Sequence, residues 1–175
     1  MTRILAALAV STAAFAFTPA SVQAAGSDTY SDKAKSCKKG KTWDKKTKKC
    51  VDAKKSSGLS DDQLFENGQA LAYAGRYEEA LTVLELAENK HDARILNFRG
   101  YATRKMGDLE GGLVHYRAAL AIDPDYVLAR EYMGEALVTA GRMDEARDQL
   151  SEIATRCGTG CREYTMLEKA IADAG

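Results

Sequence analysis

Residues 96–119 read LNFRGYATRKMGDLEGGLVHYRAA, and this stretch decides the fold of the chain. Apolar and small residues recur in it at intervals of three and four, the spacing that places them on one face of a helix. Gly107 divides the stretch, and glycine suits the left-handed residue that ends a helix. The stretch therefore predicts two α-helices joined by a short turn.

The same pattern occurs three times along the chain, at intervals of 32 and 34 residues. Two series of glycines show it, namely Gly68, Gly100 and Gly134, and Gly75, Gly107 and Gly141. A third series of small residues is Ala80, Gly112 and Ala146. A unit of this length cannot bury its apolar face alone, so three stacked copies are predicted to share one core.

The offsets of these residues resemble those of the tetratricopeptide repeat family. The resemblance covers Asp61 to about Arg156 and implies three helix–turn–helix repeats, at about 61–92, 93–126 and 127–158. A further amphipathic segment, 162–174, is predicted to cap the last repeat. We therefore expect an all-α domain at residues 59–175, a right-handed superhelical array of three helix pairs plus a C-terminal capping helix.

Residues 1–24 have the organisation of a secretory signal peptide. Arg3 precedes an uncharged apolar run from Ile4 to Phe17, and small residues precede a predicted cleavage site after Ala24. The run is shorter than the about 20 apolar residues of a membrane-spanning helix. Its alanine-rich composition is typical of bacteria. The mature protein is therefore predicted to be periplasmic or secreted.

The segment that follows, residues 25–58, differs in charge from the repeats. It carries 11 lysines and 4 acidic residues, whereas residues 59–175 carry 13 basic and 21 acidic residues. The overall balance and the 7% aromatic content argue against a nucleic-acid partner. The lysines have two interpretations, a solvated linker or a weak contact with an anionic surface such as phospholipid headgroups, a polyanionic glycan or an acidic protein.

The four cysteines are predicted to form disulfides, because export leads to an oxidising compartment. Three pairings are possible, and short loops close most easily, which favours Cys37–Cys50 and Cys157–Cys161. The first bond would join the two ends of a small basic loop that contains two short strands. The second would hold the capping helix. An alternative is a redox or envelope-maturation role for Cys157 and Cys161, because a small ring is more easily reduced.

Catalytic chemistry has little support in the sequence. The two histidines, His91 and His115, are 24 residues apart, and neither lies near a nucleophile or a set of metal ligands. Phosphate-binding, haem and zinc motifs are missing from the sequence. We therefore expect no enzymatic activity, no metal and no cofactor.

The resemblance to the repeat family implies a concave groove, lined by the first helix of each pair, that binds a partner peptide. The corresponding groove residues here are Phe65, Gln69, Tyr73, Arg94, Asn97, Tyr101, Arg104, Lys105 and Glu131. Their basic, amide and aromatic groups favour an acidic or carboxylate-terminated segment. Phe65 and Gln69 replace the lysine and asparagine of the family's carboxylate clamp. The expected function is a protein-interaction scaffold, unless these residues are merely solvated and the partner binds elsewhere.

Overall fold

The structure is a computed structural model that describes residues 36–53 and 58–175. The predicted signal peptide, the lead-in before residue 36 and linker residues 54–57 lie outside these ranges. Within them the chain forms one β-hairpin followed by seven α-helices. This arrangement confirms the expected three helix pairs and capping helix.

The hairpin pairs β1 (Lys41–Asp44) with β2 (Lys49–Asp52) in antiparallel fashion, with Trp43 opposite Cys50. The Asp44 carboxylate accepts hydrogen bonds from the Thr47 hydroxyl and the Lys46 amide, which shapes the turn. A disulfide joins Cys37 to Cys50 and closes the loop. We call residues 36–53 the basic hairpin.

The helices form consecutive antiparallel pairs. The first pair is α1 (Asp61–Tyr73) and α2 (Tyr77–Leu84), and the second is α3 (Ala93–Lys105) and α4 (Leu109–Ile122). The third pair is α5 (Val127–Thr139) and α6 (Met143–Cys157), after which α7 (Arg162–Ala174) follows. Each pair packs on the next, so α1, α3 and α5 lie side by side.

Local signals in the sequence explain where the helices begin and end. Ser60 and Gln63 form a reciprocal capping box at the start of α1. Gly75, Gly107 and Gly141 each follow a first helix with a φ angle of +76°, +100° and +71°. Side chains with a Cβ atom rarely adopt such angles, so these glycines fix the turn inside each pair.

Small residues allow the helices to approach closely. A Cβ atom on Gly68 would lie 2.4 Å from the Leu84 side chain, and one on Gly100 would lie 2.8 Å from Tyr116. In the third repeat a Cβ atom on Gly134 would lie 2.4 Å from the side chain of Leu167 on α7. The capping helix therefore inserts its own apolar residue into the packing of the last pair.

The basic hairpin packs on the outer side of the first pair. The Asn67 amide on α1 donates a hydrogen bond to the Trp43 carbonyl at 2.9 Å, and the Gly40 amide donates to Glu79 at 3.2 Å. Ala53 is buried among the core residues. Residues 36–53 therefore keep their lysines exposed to solvent, as the interpretation of a solvated linker expects, but they differ from a linker because they cover the first end of the array.

The second disulfide lies at the opposite end. Cys157 at the end of α6 is bonded to Cys161, which directly precedes α7. Leu167 of α7 is fully buried. The bond therefore holds the capping helix at the corner where the chain turns back onto α5. Among the described residues, the helices lack the length and apolar character that crossing a membrane requires.

Candidate functional site

Aromatic rings from all three repeats meet where α1, α3 and α5 lie side by side. Their centroids are 5.0 to 6.4 Å apart, and many pairs meet edge to face, a favourable geometry for aromatic rings. We call this group the aromatic cluster; its members are Phe65, Tyr73, Tyr77, Phe98, Tyr101, Tyr116 and Tyr132.

The aromatic cluster has a buried floor and a partly exposed rim. Phe98 and Tyr116 are fully buried, whereas Phe65 and Tyr101 are half-buried. Tyr73, at the end of α1, keeps 50% of its surface exposed. The rim therefore offers aromatic surface to a partner on a rigid base.

A hydrogen bond crosses the cluster between the first and third repeats. The hydroxyl oxygens of Tyr73 and Tyr132 are 2.8 Å apart. Burial, together with this bond and the neighbouring Tyr73, raises the pKa of Tyr132 above its ordinary value. Tyr132 therefore remains neutral near pH 7 and can share the hydrogen bond with Tyr73.

The two arginines predicted for the groove are already paired with carboxylates. Arg94 lies 4.8 Å from the ring of Phe65 and contacts Asp62 at 2.7 Å and Asp92 at 2.6 Å. The hydrogen bonds that Arg94 donates to Asp92 and Asp62 raise the pKa of Arg94 further above its usual range. The charge on Arg94 is therefore compensated within the protein.

Arg104 is likewise neutralised, since its guanidinium contacts Glu135 at 2.8 Å and little of its side chain is exposed. Lys105 differs from both arginines. It is exposed, its Nζ lies 5.6 Å from the Tyr101 ring centre, and the described residues offer it no ion pair. Of the three basic groove residues predicted from the sequence, Lys105 is thus the one that lacks a carboxylate partner among the described residues, and it lies beside the aromatic rim.

Two predicted groove residues are buried, so their placement on the groove surface is corrected. Asn97 has no exposed surface, and its amide lies 3.5 Å from the Tyr126 hydroxyl just before α5. Glu131 is 2% exposed, and its Oε2 has no hydrogen-bond partner among the described residues. Asn97 is covered where the chain enters α5, the first helix of the next pair, and Glu131 is covered by α7.

Burial raises the pKa of Glu131 to about 8, and the nearby Glu135 adds to this effect. Arg162 and Glu163 at the start of α7 also act on it, in opposite directions. The carboxyl group is therefore largely protonated near pH 7. A neutral, buried carboxyl group can pack against α7, but it offers no charge and little surface to a charged ligand.

The remaining predicted groove residue, Gln69, is half-buried on α1. Sequence reasoning missed Tyr77, Phe98, Tyr116 and Tyr132 as members of the site. A signal for two of them exists, since Phe98 and Tyr132 occupy the same position in successive repeats. Aromatic residues recurring at one repeat position point to a shared cluster.

The side chains best able to hold a metal are at the α6–α7 corner. One ligand atom each from Cys157, Cys161 and Glu163 lies within 4.8 Å of the others. The two sulfur atoms are bonded to each other, so they are not thiolate ligands in this state. Burial lowers the pKa of His115, which lies on α4 away from this corner.

Comparison with known proteins places this geometry in context. Residues 104–156 match the sequence profile of the tetratricopeptide repeat. The fold is similar to the first TPR of Spaghetti (RPAP3) bound to HSP90 peptide SRMEEVD, with a TM-score of 0.58 and 18% identity over 66% of this chain and 92% of that chain. No curated protein sequence matches the chain.

Two further solved structures are similar. MamA has a TM-score of 0.58 and 16% identity, over 70% of this chain and 74% of its own. The Yersinia enterocolitica type III secretion chaperone SycD, in complex with a peptide of the translocator YopD, has a TM-score of 0.55 and 20% identity over 68% and 93%. At these identities the likeness concerns the fold.

Proposed function

We propose that this chain is a member of the tetratricopeptide repeat family and acts as a scaffold that binds a partner peptide across α1, α3 and α5. The observation that carries the proposal is the half-exposed Tyr73 on the rim of the aromatic cluster, with unpaired Lys105 nearby on α3. Partly exposed aromatic residues on a rigid base are frequent anchors of protein interfaces. The similar structures of RPAP3 and SycD, each solved with a peptide, support the same use of the fold.

The proposed partner segment carries an acidic group next to an apolar one. Lys105 would pair with a carboxylate, and the rim formed by Phe65, Tyr73 and Tyr101 would cover the apolar side chain. Arg94 and Arg104 are compensated by carboxylates of the protein. One acidic residue therefore suits the site better than a long acidic run.

The periplasm, or the space outside the cell, is the proposed location. The organisation of residues 1–24 supports export, and two disulfides are compatible with an oxidising compartment. Expression with a reporter enzyme active only after export would test this. If the reporter stayed active after residues 1–24 were replaced by the N-terminal residues of an unrelated cytoplasmic protein, the proposal of export would be contradicted.

A peptide-display selection against the purified protein tests the groove. Selected peptides should lose at least tenfold in affinity for Lys105→Glu and for Tyr73→Ala. Arg117→Glu is the matched control, because Arg117 is exposed on α4, a second helix. Equal losses for Lys105→Glu and Arg117→Glu, with both proteins folded, would overturn the proposal.

A second candidate function uses Cys157 and Cys161 as a redox pair. The exposure of Cys157 at a corner of the surface supports it, since a reductant could reach the sulfur. Under this proposal a dithiol reductant would reduce the disulfide to two thiols and itself become a disulfide. Replacement of both cysteines by serine would abolish such exchange while leaving peptide binding in the groove intact. A disulfide that resists excess dithiol in the folded protein would exclude this function.

A further inference from the structure

The basic hairpin carries a high density of positive charge. Residues 36–53 contain seven lysines and two aspartates. Lys45 pairs with Glu66 of α1 at 2.5 Å. The other six lysines are exposed and have no ion pair with the described part of the chain; they are Lys38, Lys39, Lys41, Lys46, Lys48 and Lys49.

These lysines are close enough to act together. Each strand has four residues and is therefore about 13 Å long. The screening length at physiological ionic strength is about 8 Å, so the potentials of neighbouring lysines overlap. The disulfide Cys37–Cys50 and the hydrogen bond from Asn67 to Trp43 hold the hairpin in place. The hairpin thus presents one continuous positive surface on a fixed base.

The helical array carries the opposite charge. Residues 59–175 have 21 acidic and 13 basic side chains, a net charge of −8. The basic hairpin covers the first end of this acidic array, so the molecule has a positive end and a negative body. A planar anionic surface attracts the first and repels the second, and it therefore selects one orientation of the protein.

A small anionic ligand fits this region poorly. The cavity between the hairpin and α2 is lined by Lys39 and Lys41, but also by Glu78 and Glu79. The acidic residues would repel an anion inside the cavity. The lysine ammonium groups on the exposed side act as hydrated point charges, which suit a broad surface of phosphates.

We propose that the basic hairpin docks the protein on the surface of an anionic phospholipid bilayer, with the helical array projecting away from the lipid. This surface is separate from the groove formed by α1, α3 and α5. The groove remains accessible to a partner in this orientation, since the hairpin lies on the outer side of the first pair.

Vesicle flotation tests the proposal. The full chain is mixed with vesicles of phosphatidylcholine alone or with a third of phosphatidylglycerol, and we expect binding to the second only. Each lysine near an anionic bilayer strengthens binding about fivefold, so Lys38→Gln, Lys46→Gln and Lys49→Gln together should weaken it about 100-fold. Binding should also fall as salt is raised.

The matched control removes three cations from the array, by Lys90→Gln, Arg117→Gln and Lys169→Gln, with the same change in net charge. Its binding should stay within about twofold of the unchanged protein, and circular dichroism confirms that both triple variants are folded. Equal losses in the two variants would overturn the proposal, as would binding to neutral vesicles. Tight binding to a soluble acidic polysaccharide without binding to anionic vesicles would assign the hairpin to a glycan instead.

Discussion

The hydroxyl groups of Tyr73 and Tyr132 meet at 2.8 Å although 59 residues separate them in the chain. Tyr73 ends α1 and Tyr132 lies within α5, so the bond joins the first repeat to the third across α3. Neighbour-to-neighbour packing alone would not create this contact. The bond therefore links the first and third repeats directly, on the side of the array where the aromatic cluster lies.

Loss of this hydrogen bond should destabilise the protein by about 0.5–1.5 kcal/mol, the usual net value of such a bond. Tyr73→Phe, Tyr132→Phe and the double variant form a cycle measured by urea unfolding. The free energy of unfolding of the double variant should be no lower than that of the less stable single variant, because the two hydroxyls act as a pair. Tyr77→Phe is the control within the aromatic cluster. Fully additive losses would show that the two hydroxyls are not coupled.

Alanine at Gly134 should destabilise the protein by about 1–3 kcal/mol, although alanine favours helix formation. The new Cβ atom would lie 2.4 Å from Leu167, which is fully buried and must move. Hydrogen exchange should accelerate in α7 before it does in α1. Gly160→Ala is the control, since a Cβ atom there would lie in open space. A stabilised Gly134→Ala variant would contradict the described packing of the capping helix.

Glu131 should make the protein less stable as pH rises. Its pKa is about 8 in the folded chain, above the ordinary value of 4.5, so the folded state binds the proton more tightly. The resulting stabilisation is complete below about pH 4.5 and is lost as pH rises to about 8. The loss is on the order of a few kcal/mol.

Glu131→Gln should remove this dependence. The difference in unfolding free energy between the variant and the unchanged protein, measured in urea at several pH values, isolates the contribution of this one residue. The variant should gain relative stability from pH 5 to pH 9. Glu168→Gln, on the exposed side of α7, should show no such trend. A flat difference for Glu131→Gln would mean that Glu131 titrates at its ordinary pKa.

The two disulfides should differ in their effect on stability. From loop length, the 13-residue separation of Cys37 and Cys50 is worth about 3 kcal/mol, and the 4-residue separation of Cys157 and Cys161 about 2 kcal/mol. Each disulfide is removed by replacing both of its cysteines with serine, and the two variants are compared by thermal unfolding and hydrogen exchange. Loss of Cys37–Cys50 should speed exchange first in the basic hairpin, and loss of Cys157–Cys161 should speed it first in α7. Loss of order in α3 and α4 from either variant would contradict these local roles.

The helical part of the fold follows from residues whose role is set within one repeat. Gly107 and its equivalents mark the turns, and the spacing of Gly100 and Tyr116 predicts the close approach of paired helices. Even Gly111, which the repeat pattern does not explain, has a local cause. Its amide donates to the Asp108 carboxylate that caps α4, and a Cβ atom would lie 2.3 Å from that carboxylate.

The candidate site was harder to predict because it depends on contacts between repeats. Asn97 and Glu131 share a repeat position with Phe65, yet they are buried while Phe65 is half-buried, since the following helix covers them differently. The compensation of Arg94 by Asp62 also joins two repeats. The basic hairpin is held on the array by the Asn67 amide, by Glu79 and by the Lys45–Glu66 ion pair, and no periodic pattern in the sequence marks these contacts.

The covers at the two ends of the array are of different kinds, a β-hairpin at one end and α7 at the other. Copies of a repeat protein can stack head to tail into an open filament only when a bare end of one meets a bare end of the next. Here one disulfide closes the hairpin on itself and the other ties α7 to the end of α6, so the cover at each end is cross-linked. A second copy of the protein would therefore meet the hairpin or α7 at the ends of the array, and not the bare face of a repeat.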